Sequence, residues 1–338
     1  MALKVYGVDF GTSMFKLYKK GKGIVIDQKN IIAIENGHKV MAIGDEAFEM
    51  YEKAPENVLV TYPVRNGVIA DIAYMEALFS SFIKQMCGGT KPSSADYIVA
   101  VPTDITEVEK RAFADLIMSS IAKVHSIRVV EKPIAAALGA DLDITNAHGV
   151  MVVDLGADTT EISVLSLGGI VLSRLLPVGG NKLDEAIAMT IKKNCNLYIG
   201  AKTAEILKME LGSAFPNSDN YKSIYGRDVV TGLPVKKDIS SKLIYEAIKD
   251  YLFQIIDAIK MILERTPPEI SSDIIDSGIY ITGGGANISG FDQLISQGTE
   301  LNVNVCSSPS STVAYGLGRM IEDPTLITLT QDIRRTVR

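Results

Sequence analysis

Apolar residues along the chain follow two rhythms. Short runs in which they are consecutive or alternate, bounded by Gly, Asp or Ser, predict strands. Such runs cover 5–9, 14–19 and 23–27, and again 150–154, 160–166 and 170–174. Each trio is followed later by one more apolar strand, 97–101 and 278–282, that leads through a turn toward a helix. Stretches with apolar residues every three or four positions predict helices over 73–85, 181–193, 203–211 and 243–263. Thr106-x-x-Glu109 is a capping box for a helix after the first of the later strands. Thr266-Pro267-Pro268 stops the longest helix, because proline lacks a donor and the residue before it avoids helical angles. The segment 217–234, with Gly226, Gly232 and Pro234, predicts a hairpin in a smaller subdomain. Strands alternating with helices imply covered sheets and an α/β fold.

The two trios are copies. Val5-Tyr6-Gly7-Val8-Asp9-Phe10-Gly11-Thr12 aligns with Val150-Met151-Val152-Val153-Asp154-Leu155-Gly156-Ala157, at an offset of 154 − 9 = 145. Lys16-Leu17 meets Glu161-Ile162 and Gly23 meets Gly168 at the same offset, without a gap. Duplicated halves of this kind place a ligand between equivalent turns. Two Asp-x-Gly turns offer backbone N–H groups to phosphate oxygens, and Asp9 and Asp154 can hold Mg²⁺ through its waters. A single such turn reads more simply as a glycine-tightened hairpin. The in-register duplication favours the nucleotide site. A third cluster, Thr282-Gly283-Gly284-Gly285-Ala286-Asn287, lets either a flat adenine or its ribose approach the backbone, or forms a flexible loop.

Length and charge narrow the classes. A chain of 338 residues exceeds one typical core and predicts two domains of roughly 150 residues. Apolar residues at 47% and charged residues at 22% support large cores rather than disorder. A net charge of −6 without a basic block gives no footprint for nucleic acid. Cys87, Cys195 and Cys306 lack the spacing of a disulfide framework or a zinc site, which fits a reducing cytosol. No leader precedes the first strand and no apolar run is long enough to span a bilayer, so a cytoplasmic location is expected. His38, His125 and His148 sit in unrelated contexts and are read as surface or structural residues.

Asp9-Phe10-Gly11-Thr12, the segment from Val153-Asp154-Leu155-Gly156 through Ala157-Asp158-Thr159-Thr160-Glu161, and Thr282-Gly283-Gly284-Gly285 resemble the two phosphate loops and the adenosine loop of the actin and heat-shock chaperone ATPases. Within that superfamily the chain resembles the MreB family over nearly its whole length. The resemblance is carried by Arg65-Asn66-Gly67-Val68-Ile69-Ala70-Asp71, Glu131-Lys132-Pro133-Ile134-Ala135-Ala136-Ala137, Leu233-Pro234 and Thr266-Pro267-Pro268-Glu269-Ile270, in family order. It implies an actin-like ATPase fold: two duplicated ribonuclease H-like domains, each with a small subdomain, and a nucleotide cleft between them. The implied subdomains are IA (1–32, 75–137 and 312–338), IB (33–74), IIA (138–179 and 244–311) and IIB (180–243).

The resemblance also implies ATP or ADP with Mg²⁺, self-assembly into paired protofilaments, and a part in cell shape through cell-wall synthesis, with cell-shape membrane proteins as partners. Gly11, Thr12, Ser13 and Met14 would form the first loop, with Thr12 and Ser13 nearest the β-phosphate. Gly156, Ala157, Asp158 and Thr159 would meet the terminal phosphate, and Gly283, Gly284, Gly285 and Ala286 the adenosine. Glu205 and Lys208, one helical turn apart, would contact ribose and adenine; without the family they read as a surface ion pair. Lys16 stands where actin directs a lysine at the phosphates, and its alternative is a solvated strand residue.

Three positions depart from the family. Lys132 replaces the glutamate that orients the attacking water, and an ammonium has no acceptor for that water. Glu131 is adjacent, but one residue along the chain points elsewhere. Asp158 adds a negative charge beside the phosphates, or approaches the metal. Met14-Phe15 replaces a polar Asn-Thr pair. The expectation is therefore that ATP binds while hydrolysis is slow or lost. Membrane contact is expected to be weak, since Gly88-Gly89-Thr90-Lys91-Pro92-Ser93-Ser94 carries no large apolar residue. A small-molecule kinase and a nucleotide-bound scaffold that no longer cycles are the competing readings of the same fold.

Overall fold

The computed structural model describes residues 4–216 and 220–333. Positions 217–219, at the start of the expected hairpin, and 1–3 and 334–338, in the expected span of the first subdomain, lie outside the described residues. The chain forms two compact units, 1–148 with 165–173 and 310–338, and 149–164 with 174–309.

In the first unit, β1 (Lys4–Phe10), β2 (Met14–Lys19) and β3 (Gly23–Lys29) form an antiparallel meander. A small sheet follows, built from β4 (Ile32–Glu35), β5 (Lys39–Ile43) and β6 (Val58–Thr61), with α1 (Gly44–Met50) closing over Ile31, Ala33, Ala47 and Val58. The hairpin of β7 (Val64–Arg65) and β8 (Val68–Ile69) turns on Asn66-Gly67, whose positive φ values of 50° and 79° are those an Asn-Gly turn supplies. Then come α2 (Ile72–Met86), β9 (Ala95–Val101), α3 (Glu107–Ser119), β10 (Val124–Glu131) and α4 (Lys132–Gly139). The Thr106 capping box forms as its spacing predicts.

The chain then repeats the plan with β11 (Val150–Leu155), β12 (Thr160–Ser166) and β13 (Gly169–Leu176), of which residues 165–173 group with the first unit. It continues with α5 (Gly180–Cys195), β14 (Leu197–Tyr198), α6 (Ala201–Leu211), β15 (Tyr221–Asp228) and β16 (Pro234–Ser240). The long α7 (Ser241–Arg265) ends at Thr266, and the prolines that stop it also open α8 (Pro268–Ser277), where a missing donor costs nothing. β17 (Ile279–Thr282), a 3₁₀ turn over Gly284–Asn287, α9 (Phe291–Thr299) and β18 (Val303–Val305) complete the second unit. The chain then adds α10 (Thr312–Glu322) and β19 (Gln331–Asp332) to the first unit.

Strand order makes the duplication visible in three dimensions. One sheet runs β3-β2-β1-β9-β10-β19 and the other β13-β12-β11-β17-β18, so each copy has its meander on one side of the first strand and parallel strands on the other. In each sheet the aspartate strand lies at the centre, where its neighbours fix it from both sides.

Under the end of β1 lies an aromatic bed. Phe10 has its ring centroid 5.7 Å from both Phe79 and Phe113, and Phe15 stacks on Phe82 at 4.9 Å. Each of these fully buried rings contributes about 2–3 kcal/mol. Because strand side chains alternate, Phe10 pointing into the core turns Asp9 to the opposite face.

The helix over 312–322 has no counterpart among the elements expected from periodicity, and its glycines disfavour a helix in isolation. Packing explains it. A Cβ added at Gly316 would lie 1.7 Å from the Ala135 carbonyl, and one at Gly139 would lie 1.9 Å from that of Thr312. The two glycines let α4 and α10 touch backbone to backbone, which fixes where α4 starts.

Candidate functional site

The first glycine turn is built by the β1–β2 register. Asp9 opposes Lys16 on β2, and Lys16 opposes Asp27 on β3, so the three side chains form a row on one face of the sheet. The Lys16 side chain is only 2% exposed, and its Nζ donates to Asp27 Oδ1 at 2.5 Å. Lys16 is therefore buried, not a solvated strand residue, and its charge is directed to β3. Gly11 is needed for the turn itself, since a Cβ there would sit 2.6 Å from the Met14 carbonyl. Asn30, fully buried just after β3, holds the turn from below: Nδ2 donates to the Gly11 carbonyl at 2.7 Å and the backbone N–H to the Ser13 carbonyl at 2.8 Å. Thr12, Ser13 and Met14 thus cross the top of a braced loop, each half-buried.

Lys132 reaches the same row from the other side. In register, Asp9 lies beside Ala100 on β9 and Ala100 beside Val130 on β10. Two small or medium residues leave room above the sheet, and the Lys132 Nζ stands 3.2 Å from Asp9 Oδ1. Both side chains are largely buried, 13% and 12% exposed. That oxygen makes no hydrogen bond of good geometry, so the ammonium is its cation partner by proximity. Glu131, one residue earlier, follows the alternation to the opposite face, where Lys110 of α3 lies 3.9 Å away. Glu131 and Asp9 are thus directed apart.

In the second unit, the turn is held by backbone. Gly156 N–H donates to the Thr159 carbonyl at 2.9 Å, and the start of α5 closes over it: Gly180 N–H reaches the Gly156 carbonyl at 3.0 Å and Asn181 N–H the Ala157 carbonyl at 2.7 Å. Asn181 Nδ2 also donates to Asp158 Oδ1 at 2.8 Å, so this carboxylate has an anchoring donor. Lys208 of α6 donates to the Gly180 carbonyl and to Asp184 Oδ2, both at 2.8 Å. Lys208 braces the helix that braces the loop; Glu205 lies one turn before it on α6.

The third glycine cluster serves the same loop. Asp154 and Thr282 are paired across β11 and β17. Gly283 has φ +82°, and a Cβ there would lie 2.3 Å from both Asp154 Oδ1 and the Leu155 carbonyl. A Cβ at Gly285 would lie 2.1 Å from the Leu155 side chain, whereas Gly284 faces open space. Two of the three glycines are thus required by close approach of the Asp154 strand, and Gly284 alone presents bare backbone outward. Thr282 and Gly283 are tied to the Pro309 carbonyl at 2.8 and 3.0 Å, and Ala286 is buried in the 3₁₀ turn. The segment is an ordered turn rather than a flexible loop.

A water on Mg²⁺ donates to a carboxylate, and at Asp9 the Lys132 ammonium stands beside one of the two carboxylate oxygens. Among the described residues no group of three or more His, Cys, Asp or Glu could hold a metal directly. His125 shares the Asp96 carboxylate with Ser126, both as neighbours of one oxygen, so no nucleophile–base relay is formed.

A family model described as MreB/Mbl protein matches residues 3–328. The chain belongs to the MreB/Mbl family. The cell shape-determining protein Mbl of Bacillus subtilis is 39% identical over 94% of this chain and 95% of its own, and MreB of Escherichia coli is 36% identical over 93% and 92%. Among solved structures, MreB5 of Spiroplasma citri bound to ADP superposes with a TM-score of 0.90 at 30% identity, over 97% of this chain and 98% of that one. The same protein bound to AMPPNP matches equally well. The MamK double helical filament matches with a TM-score of 0.79 at 23% identity, which speaks for the actin-like fold alone. Within the MreB/Mbl frame, the position before the proline of α4 is the one where the resemblance expects a glutamate, and here it holds the lysine seated on Asp9.

Several members of the site escape a reading by motif. Asp27 and Asn30 lie outside every glycine cluster, and counting register from the β2–β3 turn would set Ile26 opposite Lys16; a register shift between Leu17 and Tyr18 brings Asp27 there instead. Asn181 and Asp184 lie in the first turns of α5, and no spacing rule links them to Asp158 or Lys208.

Proposed function

We propose that the protein binds an adenine nucleotide and polymerises into filaments as an MreB/Mbl-type element of cell shape, with ATP hydrolysis slow or lost. The observation that carries the last clause is the Lys132 ammonium 3.2 Å from Asp9. Lysine donates only, so it cannot accept from an attacking water, and Glu131 is turned toward Lys110. Binding is supported by two in-register Asp-x-Gly turns, each braced, one by Asn30 and one by the start of α5. Nucleotide-bound MreB5 structures of the same fold support adenine as the base.

On this reading the phosphates meet Thr12, Ser13 and Met14 of one loop and Gly156 to Thr159 of the other. Gly284 offers the exposed peptide for the adenosine. Mg²⁺, held through its waters, falls to Asp9 and Asp154. Subdomains IA, IB, IIA and IIB take the spans given by the resemblance. No helix among the described residues is long and apolar enough to cross a membrane. Any membrane contact is peripheral and weak, through cell-shape membrane proteins rather than through residues 88–94.

Electron microscopy of the purified chain with ATP, ADP and no nucleotide tests assembly, and filaments are expected with nucleotide. Single-turnover hydrolysis by the wild type and Lys132→Glu tests the chemistry. The variant is expected to be faster by about a hundredfold, the size of penalty that misplacing a reacting group carries. Rapid turnover by the wild type would refute slow hydrolysis, and turnover without polymer would favour a kinase.

A further inference from the structure

We propose that Lys208 is a positioning residue for the phosphates rather than a contact for the base, and that its charge reaches the second phosphate loop through two peptide groups in series. The inference rests on the nucleotide-binding reading above and assigns a residue of α6 to one end of the ligand.

The path starts at the lysine. Lys208 Nζ donates to the Gly180 carbonyl and to Asp184 Oδ2, both at 2.8 Å, and the Lys208 and Asp184 side chains are 14% and 11% exposed. Gly180 permits this approach, since a Cβ there would stand 3.0 Å from the ammonium. The Gly180 carbonyl shares one planar trans peptide with the Asn181 N–H, so the two point in opposite directions. That N–H donates to the Ala157 carbonyl at 2.7 Å. The Ala157 carbonyl shares the next peptide with the Asp158 N–H, which therefore faces away from α5. The path runs from ammonium through two peptides and ends on a donor of the loop assigned to the terminal phosphate.

Close packing fixes each step. A Cβ at Gly179 would lie 2.6 Å from the Ala157 carbonyl, so α5 meets the loop backbone to backbone. Gly180 N–H donates to the Gly156 carbonyl at 3.0 Å, which turns the Ala157 N–H away from α5 as well. Thr160, buried at the start of β12, donates from its hydroxyl to the Val178 carbonyl at 2.6 Å and ties down the far end of the loop. The two contacts from Gly180 and Asn181 N–H are peptide to peptide, and Lys208 stands one bond behind them.

Charge decides what the path does. A hydrogen bond from an ionised donor is roughly twice as strong as a neutral one, and bonds in a chain polarise one another. Asp184 offsets the ammonium at long range, so what reaches the loop is carried by the bonded path. A cation at its head makes the last N–H a better donor to an anion. Contacts with a neutral base gain nothing from it. A lysine laid on adenine or ribose would instead act on every adenine nucleotide alike.

The test is displacement of a fluorescent ADP from the full chain by AMPPNP, ADP and AMP at fixed millimolar Mg²⁺. Each loss is the ratio of variant to wild type for one nucleotide in one buffer, so the share of the metal cancels. For Lys208→Met the loss is expected to be about tenfold for AMPPNP, smaller for ADP and less than about twofold for AMP, within the range carried by residues that act through a network. Lys208→Arg keeps the charge and the donors and is expected to stay within about threefold of the wild type for all three. Lys208→Met leaves Asp184 without this cation, so the double variant Lys208→Met with Asp184→Asn is measured beside it and is expected to show the same gradation. Thermal melting establishes that each variant is folded. Equal losses for the three nucleotides place Lys208 on the base or ribose and overturn the proposal while leaving nucleotide binding intact, and so does the absence of any loss. Failure of the wild type to bind any of the three overturns the nucleotide reading itself, and the proposal with it.

Discussion

The two Asp-x-Gly turns are copies in sequence and differ in what holds them. The first is held by side chains: Asn30 beneath it, Lys16 and Asp27 along the strand face, and Lys132 against Asp9. The second is held by peptide groups, with the start of α5 donating into the loop and Gly283 and Gly285 allowing β17 to press against Asp154 and Leu155. Side-chain bracing can be retuned by one substitution. Backbone bracing cannot.

Substitutions at the two scaffolds should break both turns most severely. Gly316→Ala drives a methyl into the Ala135 carbonyl, and Gly283→Ala combines overlap with a positive φ. Each is expected to cost about 3 kcal/mol or more in urea denaturation. Equal losses with unequal effects on nucleotide affinity would show which turn dominates binding. Asn30→Ala removes the buried amide under the first turn and leaves the Gly11 carbonyl without its donor. The expected loss is about 2 kcal/mol, read by denaturation, and a loss near zero would mean that the turn does not need its brace.

Thr106→Ala is the next smaller step, about 1 kcal/mol, because it removes the cap of α3, whose Phe113 packs under Phe10. Its effect should depend on pH. Glu109 accepts from the Thr106 backbone N–H and then from its hydroxyl, which lowers its pKa from the ordinary 4.5. A lowered carboxyl stabilises the fold above its ordinary value and loses that contribution as the pH falls. The difference between wild type and Thr106→Ala should therefore be full at neutral pH and shrink below pH 4.5. Asn181→Ala, which only frees an exposed contact to Asp158, should cost about 0.5 kcal/mol in stability. If nucleotide affinity falls instead, Asp158 needs its anchor to stay clear of the phosphates.

Much of this was legible beforehand. The trios of strands, the helices over 73–85, 181–193, 203–211 and 243–263, and the Thr106 box follow from local rules, and the structure contains each within a few residues. The repeat at a fixed offset announced the matching strand orders, because equivalent strands inherit equivalent neighbours. Long-range packing was not legible. α10 is helical because Gly316 meets α4, a fact no window around residue 316 contains. Gly283 and Gly285 read as room for a ligand, and nothing in their sequence neighbourhood shows that the Asp154 strand lies close on the side where a Cβ would stand. Lys132 reads as a departure, but its partner comes only with the fold, since Asp9 is far from it in sequence and 3.2 Å away in space.

The contact between α4 and α10 also orders events during synthesis. Gly139 and Gly316 come from opposite halves of the chain, so a ribosome that has delivered β1 and α4 has yet to make the helix that clamps them. Until residues 312–322 emerge, the lysine at the head of α4 has no fixed seat and the first turn is unfinished. Nascent chains should therefore remain unable to capture nucleotide, and to join a growing polymer, until residues 312–322 have been made.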